Sequence, residues 1–327
     1  MVFFESTVND PYYNLALEEY FFEKMDRSES YFLLWQNDNT IVVGKYQNTA
    51  EEVNQQYVEE HGVKVARRLS GGGAVYHDMG NLNFTFITDK EEIDNFNFKK
   101  FVIPVINVLN SLGVKAEFTG RNDITIDGAK FSGNSQYMKK GRVMHHGCIM
   151  LSTDLSVVSK ALQVREAKLE SKAMKSVRSR VTTIDRHLKR DVSMDEFKEL
   201  LKKEIFTDDD IRTAVLSDDD LREIEKLRDS KYATWDWNYG ESPEYDMRKE
   251  KKYPGGLITV FMKAESSRIK EVKFYGDFFG NGEICELEES LRGAKLDESL
   301  LGVLEEIDIS RYMNNISANE LYDLLMH

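Results

Sequence analysis

Residues 123–132 narrow the fold more than any other stretch. Asp123–Ile126 and Lys130–Ser132 read as short strands flanking Asp127-Gly128, a strong two-residue hairpin signal. A hairpin joins antiparallel neighbours, which a doubly wound parallel sheet does not contain. The rest of the first half mixes helices and strands. A helix is expected from Pro11 to Met25, with Asp10 as cap and Pro11 in its first position. Its Tyr12, Tyr13, Leu15, Leu17, Tyr20, Phe21 and Phe22 imply burial on more than one side. Strands follow at Tyr31–Trp35 and Thr40–Gly44, joined by a turn, and at Val63–Ala66, Leu82–Ile87 and Gly147–Leu151. Polar Glu51–Glu60 reads as one helix stopping near Gly62. Phe98–Leu112 reads as another, disturbed by Pro104. The fold class is therefore α+β, with a mixed, largely antiparallel sheet flanked by helices.

Further along, helices are expected at Ser193–Ile205 and Asp218–Ser230, with acidic triplets Asp208–Asp210 and Asp218–Asp220 as N-terminal acids. Glu241–Tyr253 reads as a linker, with Pro243 and Pro254 near it and the charge run Arg248–Lys252 inside it. That divides the 327 residues into a first domain, 1–245, and a small α/β domain, 253–327. The small domain has strands near Leu257–Met262 and Ile269–Phe274, then helices near Ile284–Leu291, Ser299–Ile307 and Ala318–Met326.

The formal charge of −13 argues against a general nucleic-acid or membrane binder. Two cysteines, Cys148 and Cys285, supply no disulfide framework and no paired metal motif. No apolar run approaches the ~20 residues of a membrane helix, and no signal peptide is visible. A cytoplasmic enzyme or binding module is the expectation. Against the acidic background, residues 160–190 carry ten Lys and Arg and only three acids.

Arg67-Arg68-Leu69-Ser70-Gly71-Gly72-Gly73-Ala74-Val75-Tyr76-His77 is the sharpest local feature. Three glycines permit positive φ and let N–H groups converge on an anion; the two arginines offer forked donors. A tight bend between strands is the alternative. The run is neither a dinucleotide fingerprint nor a Walker loop. The hairpin also brings Asp123 and Lys130 to one end of the sheet. They can form an ordinary cross-strand ion pair, which spacing alone favours, or hold developing charge and Mg²⁺. His145 and His146 should point to opposite faces of a strand, which makes a shared metal difficult. Cys148 sits on the face of His146, as a buried thiol or half of a Cys–His pair. Trp235 and Trp237 read as core or docking aromatics. These features imply binding of a phosphorylated or carboxylated ligand and fix no reaction.

Four ordered stretches carry a resemblance. Arg67 to Asn81 closely resembles the lipoate-binding loop of lipoate–protein ligases. Gly120-Arg121-Asn122-Asp123, Lys130-Phe131-Ser132-Gly133 with His145-His146-Gly147, and Ser176-Val177-Arg178-Ser179-Arg180-Val181 agree in order, and Trp235-Asp236-Trp237-Asn238 resembles the family's end-of-domain signature. The resemblance implies a biotin/lipoate ligase-like catalytic domain. It implies activation of lipoate by ATP, with Mg²⁺, to lipoyl-AMP. The lipoyl group then passes to a lysine of lipoyl domains in 2-oxoacid dehydrogenase complexes or of the glycine-cleavage H protein. By the same resemblance Lys130 is catalytic. Arg68, Gly73, Ala74, Val75, Tyr76, Lys130, Ser176, Val177, Arg178 and Arg180 bind the nucleotide or lipoyl-AMP. Trp35, Arg68, Ser70, Gly71, Gly72, His77, Lys130, Gly133 and His146 bind lipoate, with Leu15 and Val75 as further wall candidates. Asp123 is the candidate for the carboxylate that holds Mg²⁺ or orients the lysine. An ATP-independent octanoyl or lipoyl transferase of the same fold, a biotin–protein ligase and a non-catalytic lipoate-binding protein are the competing readings. The transferase would need no ATP and either an acid–base lysine or a nucleophilic cysteine, and the Arg121–Asp123 region holds no cysteine. The acceptor and the choice between lipoate and octanoate stay open.

Overall fold

The computed structural model describes residues 1–89, 98–120, 122–162, 181–206, 211–240, 247–265 and 267–326. The thirteen strands among these residues are β1 Val2–Glu5, β2 Tyr31–Trp35, β3 Thr40–Val43, β4 Lys64–Arg67, β5 Val75–His77, β6 Asn81–Asp89, β7 Ala116–Thr119, β8 Asp123–Ile126, β9 Ala129–Lys139, β10 Arg142–Met150, β11 Met247–Tyr253, β12 Gly256–Glu265 and β13 Arg268–Gly276. The chain divides into two compact units. One comprises Met1–Val42, Ala50–Arg67 and Val75–Asn238; the other comprises Val43–Thr49, Arg68–Ala74 and Tyr239–His327.

The first unit is built on a seven-stranded sheet in the order β1-β2-β6-β10-β9-β8-β7. Only β1 and β2 pair in parallel; every other neighbour is antiparallel. The Asp127-Gly128 turn closes β8 onto β9 with both residues at positive φ, 50° and 77°. That is the backbone a two-residue hairpin requires. Lys140-Gly141, at φ 49° and 76°, closes β9 onto β10 in the same way. Leu82, Phe84 and Phe86 alternate onto one face of β6 and pack in a core with helix Lys99–Ser111 and with Phe197 and Leu201 of helix Met194–Ile205. Pro104 lies inside helix Lys99–Ser111, which continues past it.

Helix Pro11–Glu23 serves the other face. It buries Leu15, Leu17, Glu18, Phe21 and Phe22, so its burial is indeed many-sided. Pro11 opens it, but Asp10 makes no side-chain cap; that carboxylate lies 3.1 Å from Lys64 Nζ. Arg142, 1% exposed, ties the helix end to the sheet. Its guanidinium donates to the carbonyls of Phe22 at 2.9 Å, Met25 at 3.2 Å and Asp26 at 3.3 Å, satisfying acceptors that a helix C-terminus leaves open.

The expected single helix over 51–60 is two, Thr49–Glu52 and Gln55–His61. Asn54 caps the second through the Tyr57 N–H, and Gly62 ends it at φ 61°. Tyr31–Trp35 and Thr40–Val43, neighbours in sequence, belong to different sheets; β3 lies between β4 and β5. Helix Asp218–Leu227 starts with a capping box from Ser217 and Asp220, and passes into a π-turn, Arg228–Tyr232. Asp208–Asp210 lie outside the described residues.

The second unit is a three-stranded antiparallel sheet, β11-β12-β13, whose core takes in Leu287, Leu300, Leu304, Leu321, Leu324 and Leu325 from its helices. Tyr46, from the Val43–Thr49 segment, belongs to the same core. Met247–Tyr253, read from sequence as linker, is an edge strand. Among the described residues no helix is long and apolar enough to cross a membrane.

Candidate functional site

Register organises the helix Pro11–Glu23 face of the large sheet. Trp35 on β2 pairs with Asn83 on β6, Asn83 with Cys148 on β10, Cys148 with Gly133 on β9, and Gly133 with Asp123 on β8. Directly opposed residues share a face, so one row of side chains crosses five strands. The next row runs Leu33, Thr85, His146, Ser135. Sequence reasoning named Trp35, Gly133, His146 and Asp123; the register places them in these two rows.

A buried polar chain links the rows. Trp35 Nε1 donates to Thr85 Oγ1 at 2.9 Å, Thr85 Oγ1 donates to Glu18 Oε1 at 2.5 Å, and His146 Nδ1 lies 3.0 Å from Glu18 Oε1. Glu18 is 2% exposed. Such a network fixes the Trp35 and His146 rings, because breaking it strands buried polar groups. His77 joins from β5, with Nδ1 3.3 Å from Asn37 Nδ2 and its ring edge-on to Trp35 at 6.3 Å. Tyr76 donates its hydroxyl to Asn39 Oδ1 at 3.1 Å. Burial, then the charge of Asp78, pushes that phenol up to about 12.

Lys130 is the second residue of strand β9. Its Nζ lies 2.7 Å from Asp123 Oδ1, so the cross-strand ion pair exists, with both side chains about one-third exposed. The ammonium also lies across Gly133; a Cβ there would meet Lys130 Nζ at 3.0 Å. Glycine thus leaves room for the lysine to lie down on the sheet. Val181 bridges Lys130, and the Thr182 N–H donates to the Lys130 carbonyl at 2.8 Å. Val181 and Thr182, inside the basic stretch 160–190, are therefore held at the lysine. Ser176, Val177, Arg178 and Arg180, and Arg121, lie outside the described residues. Among the described residues no three His, Cys, Asp or Glu side chains group as a metal cluster. Asp123, ion-paired to Lys130, contributes a single carboxylate.

His145 faces the opposite side, stacked on Phe101 at 4.6 Å. The Gln136 amide donates to its Nδ1 at 3.1 Å and its Nε2–H donates to Asn134 Oδ1 at 3.2 Å, an arrangement that suits the neutral ring. Complete burial, then His146, holds its pKa well below the usual histidine range. The unfolded chain takes up a proton near pH 6.5 while the native ring resists it, so this contribution to stability is present above that pH and lost as pH falls below it. Stability should decline below about pH 6.5 with a slope of up to about 1.4 kcal/mol per pH unit from this ring. Denaturant titrations from pH 8 to 5 should show that slope, and His145→Phe should flatten it while lowering stability throughout. An unchanged slope in the variant would remove His145 as the cause.

The glycine-rich loop lies in the second unit. Arg68 is 7% exposed, and its guanidinium donates to Ser70 Oγ at 3.2 Å and to the carbonyls of Gly71 at 2.7 Å and Gly73 at 2.9 Å. The arginine expected to grip an anion thus wires the loop's shape. Gly72 takes φ +94°, and its N–H donates to the Phe278 carbonyl at 3.4 Å. Lys45 N–H donates to the Ser70 carbonyl at 2.8 Å, and Tyr46 stacks on Phe278 at 4.7 Å. The backbone on both sides of the loop is close. A Cβ on Gly71 would lie 2.2 Å from the Phe278 carbonyl oxygen, and one on Gly44 would lie 2.0 Å from that of Gly72. Arg67, offered by the sequence as a second fork, is used elsewhere. In the first unit it donates to the carbonyls of Trp237 at 2.9 Å and Asn238 at 3.0 Å, while Trp237 Nε1 returns a bond to the Arg67 carbonyl at 2.9 Å. Trp237 is therefore a packing residue, whereas Trp235 is 60% exposed.

Glu18, Thr85 and Asn83 were missed in the sequence. The signal was there in part: Asn81, Asn83 and Thr85 alternate with Leu82, Phe84 and Phe86. Such alternation ordinarily marks a solvated face, yet all three are buried.

Residues 10–206 match the family described as lipoyl protein ligase A/B catalytic domain, and residues 242–325 match the bacterial lipoate protein ligase C-terminus. The chain is 45% identical to lipoate–protein ligase 1 of Staphylococcus aureus, covering 98% of each chain. It is 44% identical to lipoate-protein ligase LplJ of Bacillus subtilis, covering 99% of this chain and 100% of that one. In fold it is similar to P. falciparum LipL1 solved in complex with lipoate, at a TM-score of 0.83 and 24% identity over 99% of both chains. It is also similar to the bipartite lipoate protein ligase of Thermoplasma acidophilum, from an archaeal lipoylation system studied with its E2 lipoyl domain, at 0.65 and 29% over 75% of this chain and 98% of that one. A lipoate-protein ligase A bound with ATP matches at 0.62 and 26%, over 73% of this chain and 99% of that one. On these matches across nearly its whole length, the chain belongs to the lipoate–protein ligase family.

Proposed function

We propose that this chain is an ATP-dependent lipoate–protein ligase. The observation that carries the reading is Lys130, an ammonium laid across Gly133 and steadied by Asp123 in the row that also contains Trp35. In the first half-reaction a lipoate carboxylate oxygen attacks the α-phosphorus of ATP. A P–O bond forms and the bond to pyrophosphate breaks. Lys130 would stabilise the charge gathering on the non-bridging oxygens. In the second, the neutral ε-amine of an acceptor lysine attacks the acyl carbonyl. An amide forms, AMP leaves with the electron pair of the C–O bond, and the amine's proton is lost. The same ammonium would polarise that carbonyl.

Arg68 and Ser70–Gly72 are proposed to shape the loop that takes the lipoyl carboxyl region, with Gly73, Ala74, Val75 and Tyr76 presenting backbone to the nucleotide. Trp35, His77 and His146 are proposed to line the acyl tail. Mg²⁺ would arrive on the nucleotide's phosphates, with Asp123 as a single protein ligand, which is how that ion is commonly held beside phosphates. The proposed acceptors are lipoyl domains of 2-oxoacid dehydrogenase complexes and the glycine-cleavage H protein. The apolar Trp35 ring supports an acyl ligand; a transferase would work without ATP through an acid–base lysine or a nucleophilic cysteine, and Cys148 is buried. The test is pyrophosphate release without acceptor. It should require both ATP and lipoate and stop near one equivalent per enzyme. Acyl transfer from a carrier thioester without ATP would replace this reading with the transferase.

A further inference from the structure

Asn83 holds a buried donor that the reaction above does not use. It is 2% exposed, and its Oδ1 accepts from Asn81 Nδ2 at 3.1 Å, which sets the plane of the amide. Among the described residues its Nδ2 has no hydrogen-bond partner. A buried N–H in that condition destabilises the fold unless a bound group accepts from it. Its neighbours across the sheet are Trp35, whose indole N–H is committed to Thr85, and the Cys148 thiol, a weak acceptor.

Place matters as much as chemistry. Cys148 separates Asn83 from Gly133, where Lys130 lies. Two strand spacings amount to about 10 Å. An eight-carbon acid with its carboxyl at Lys130 can run across Cys148 and bring its far end to Asn83. We propose that the Asn83 amide donates to a ring sulfur of the bound dithiolane, and so selects lipoate over the saturated acid of the same chain length. This rests on the reading that the acyl carboxyl sits at Lys130. Octanoate would lay methylenes against the N–H and leave it unsatisfied. A site built to hydrogen-bond one substrate discriminates against the analogue lacking that group. Sulfur is a modest acceptor, so the selectivity should be modest too.

The test measures Kd by calorimetry, and kcat/KM with ATP and an apo lipoyl domain, for lipoate and octanoate on the wild type, Asn83→Leu and Asn83→Ser, each checked by its melting temperature. The wild type should favour lipoate. Asn83→Leu should erase about tenfold of that preference through weaker lipoate binding alone, and Asn83→Ser, which keeps a donor, should retain part of it. Equal losses for both acids in Asn83→Leu, or a wild type that binds the two alike, would overturn the inference. A binding preference without ATP-dependent transfer would strike the ligase reading and leave this one standing.

Discussion

Lys130→Ala is expected to lower the rate of adenylate formation by ~10²–10³-fold, the usual cost of removing one preorganised donor from developing charge. The fold should survive. The side chain is about one-third exposed and its partner Asp123 equally so, which leaves the freed carboxylate in contact with water. Lipoate KM should change far less than kcat, because the ammonium acts on charge that grows in the transition state. Lys130→Arg keeps the charge but brings a planar fork into a space defined by Gly133, and should recover only a fraction of the rate. Pre-steady-state pyrophosphate release measures all three. A variant whose kcat is unchanged would remove Lys130 from the chemistry.

Gly71→Ala should be comparably severe by a different route. The added methyl would sit 2.2 Å from the Phe278 carbonyl oxygen, and backbone cannot swing aside as a side chain can. The loop or the Asp277–Gly280 segment must move. Overpacking of this kind costs about 1–3 kcal/mol or more. Arg68 would lose its geometry with the Gly71 and Gly73 carbonyls as the loop shifts. Both melting temperature and nucleotide affinity should therefore fall. Gly73→Ala, whose Cβ meets nothing within 4 Å, is the control and should leave stability nearly unchanged. Equal stability of the two variants would show that the loop is looser than its contacts imply.

What could be read without coordinates followed local chemistry. Asp127-Gly128 announced its hairpin because φ > 0 at both turn positions restricts the residues that fit. Lys140-Gly141 closes an equally tight turn but sits after Gln136-Tyr137-Met138, a stretch without clean alternation, and the full lengths of β9 and β10 went unseen. Met247–Tyr253 looked like linker because Arg248–Lys252 is entirely charged. It is an edge strand, where charge is a normal guard against unwanted pairing. The glycine loop was visible as a loop. That its arginine would be spent on the loop's own carbonyls was not, since one sequence carries no sign of which acceptor a guanidinium will find. Asn83 and Glu18 were hidden for the related reason that a buried polar face has the same alternation as a wet one.

The most direct test of the account is the mass of a purified apo lipoyl domain after incubation with this protein, lipoate, Mg²⁺ and ATP, beside a reaction without ATP and one with Lys130→Ala. The account predicts the gain of one lipoyl group, confined to the complete reaction with the unaltered protein. Modification without ATP, or full modification by Lys130→Ala, would contradict it.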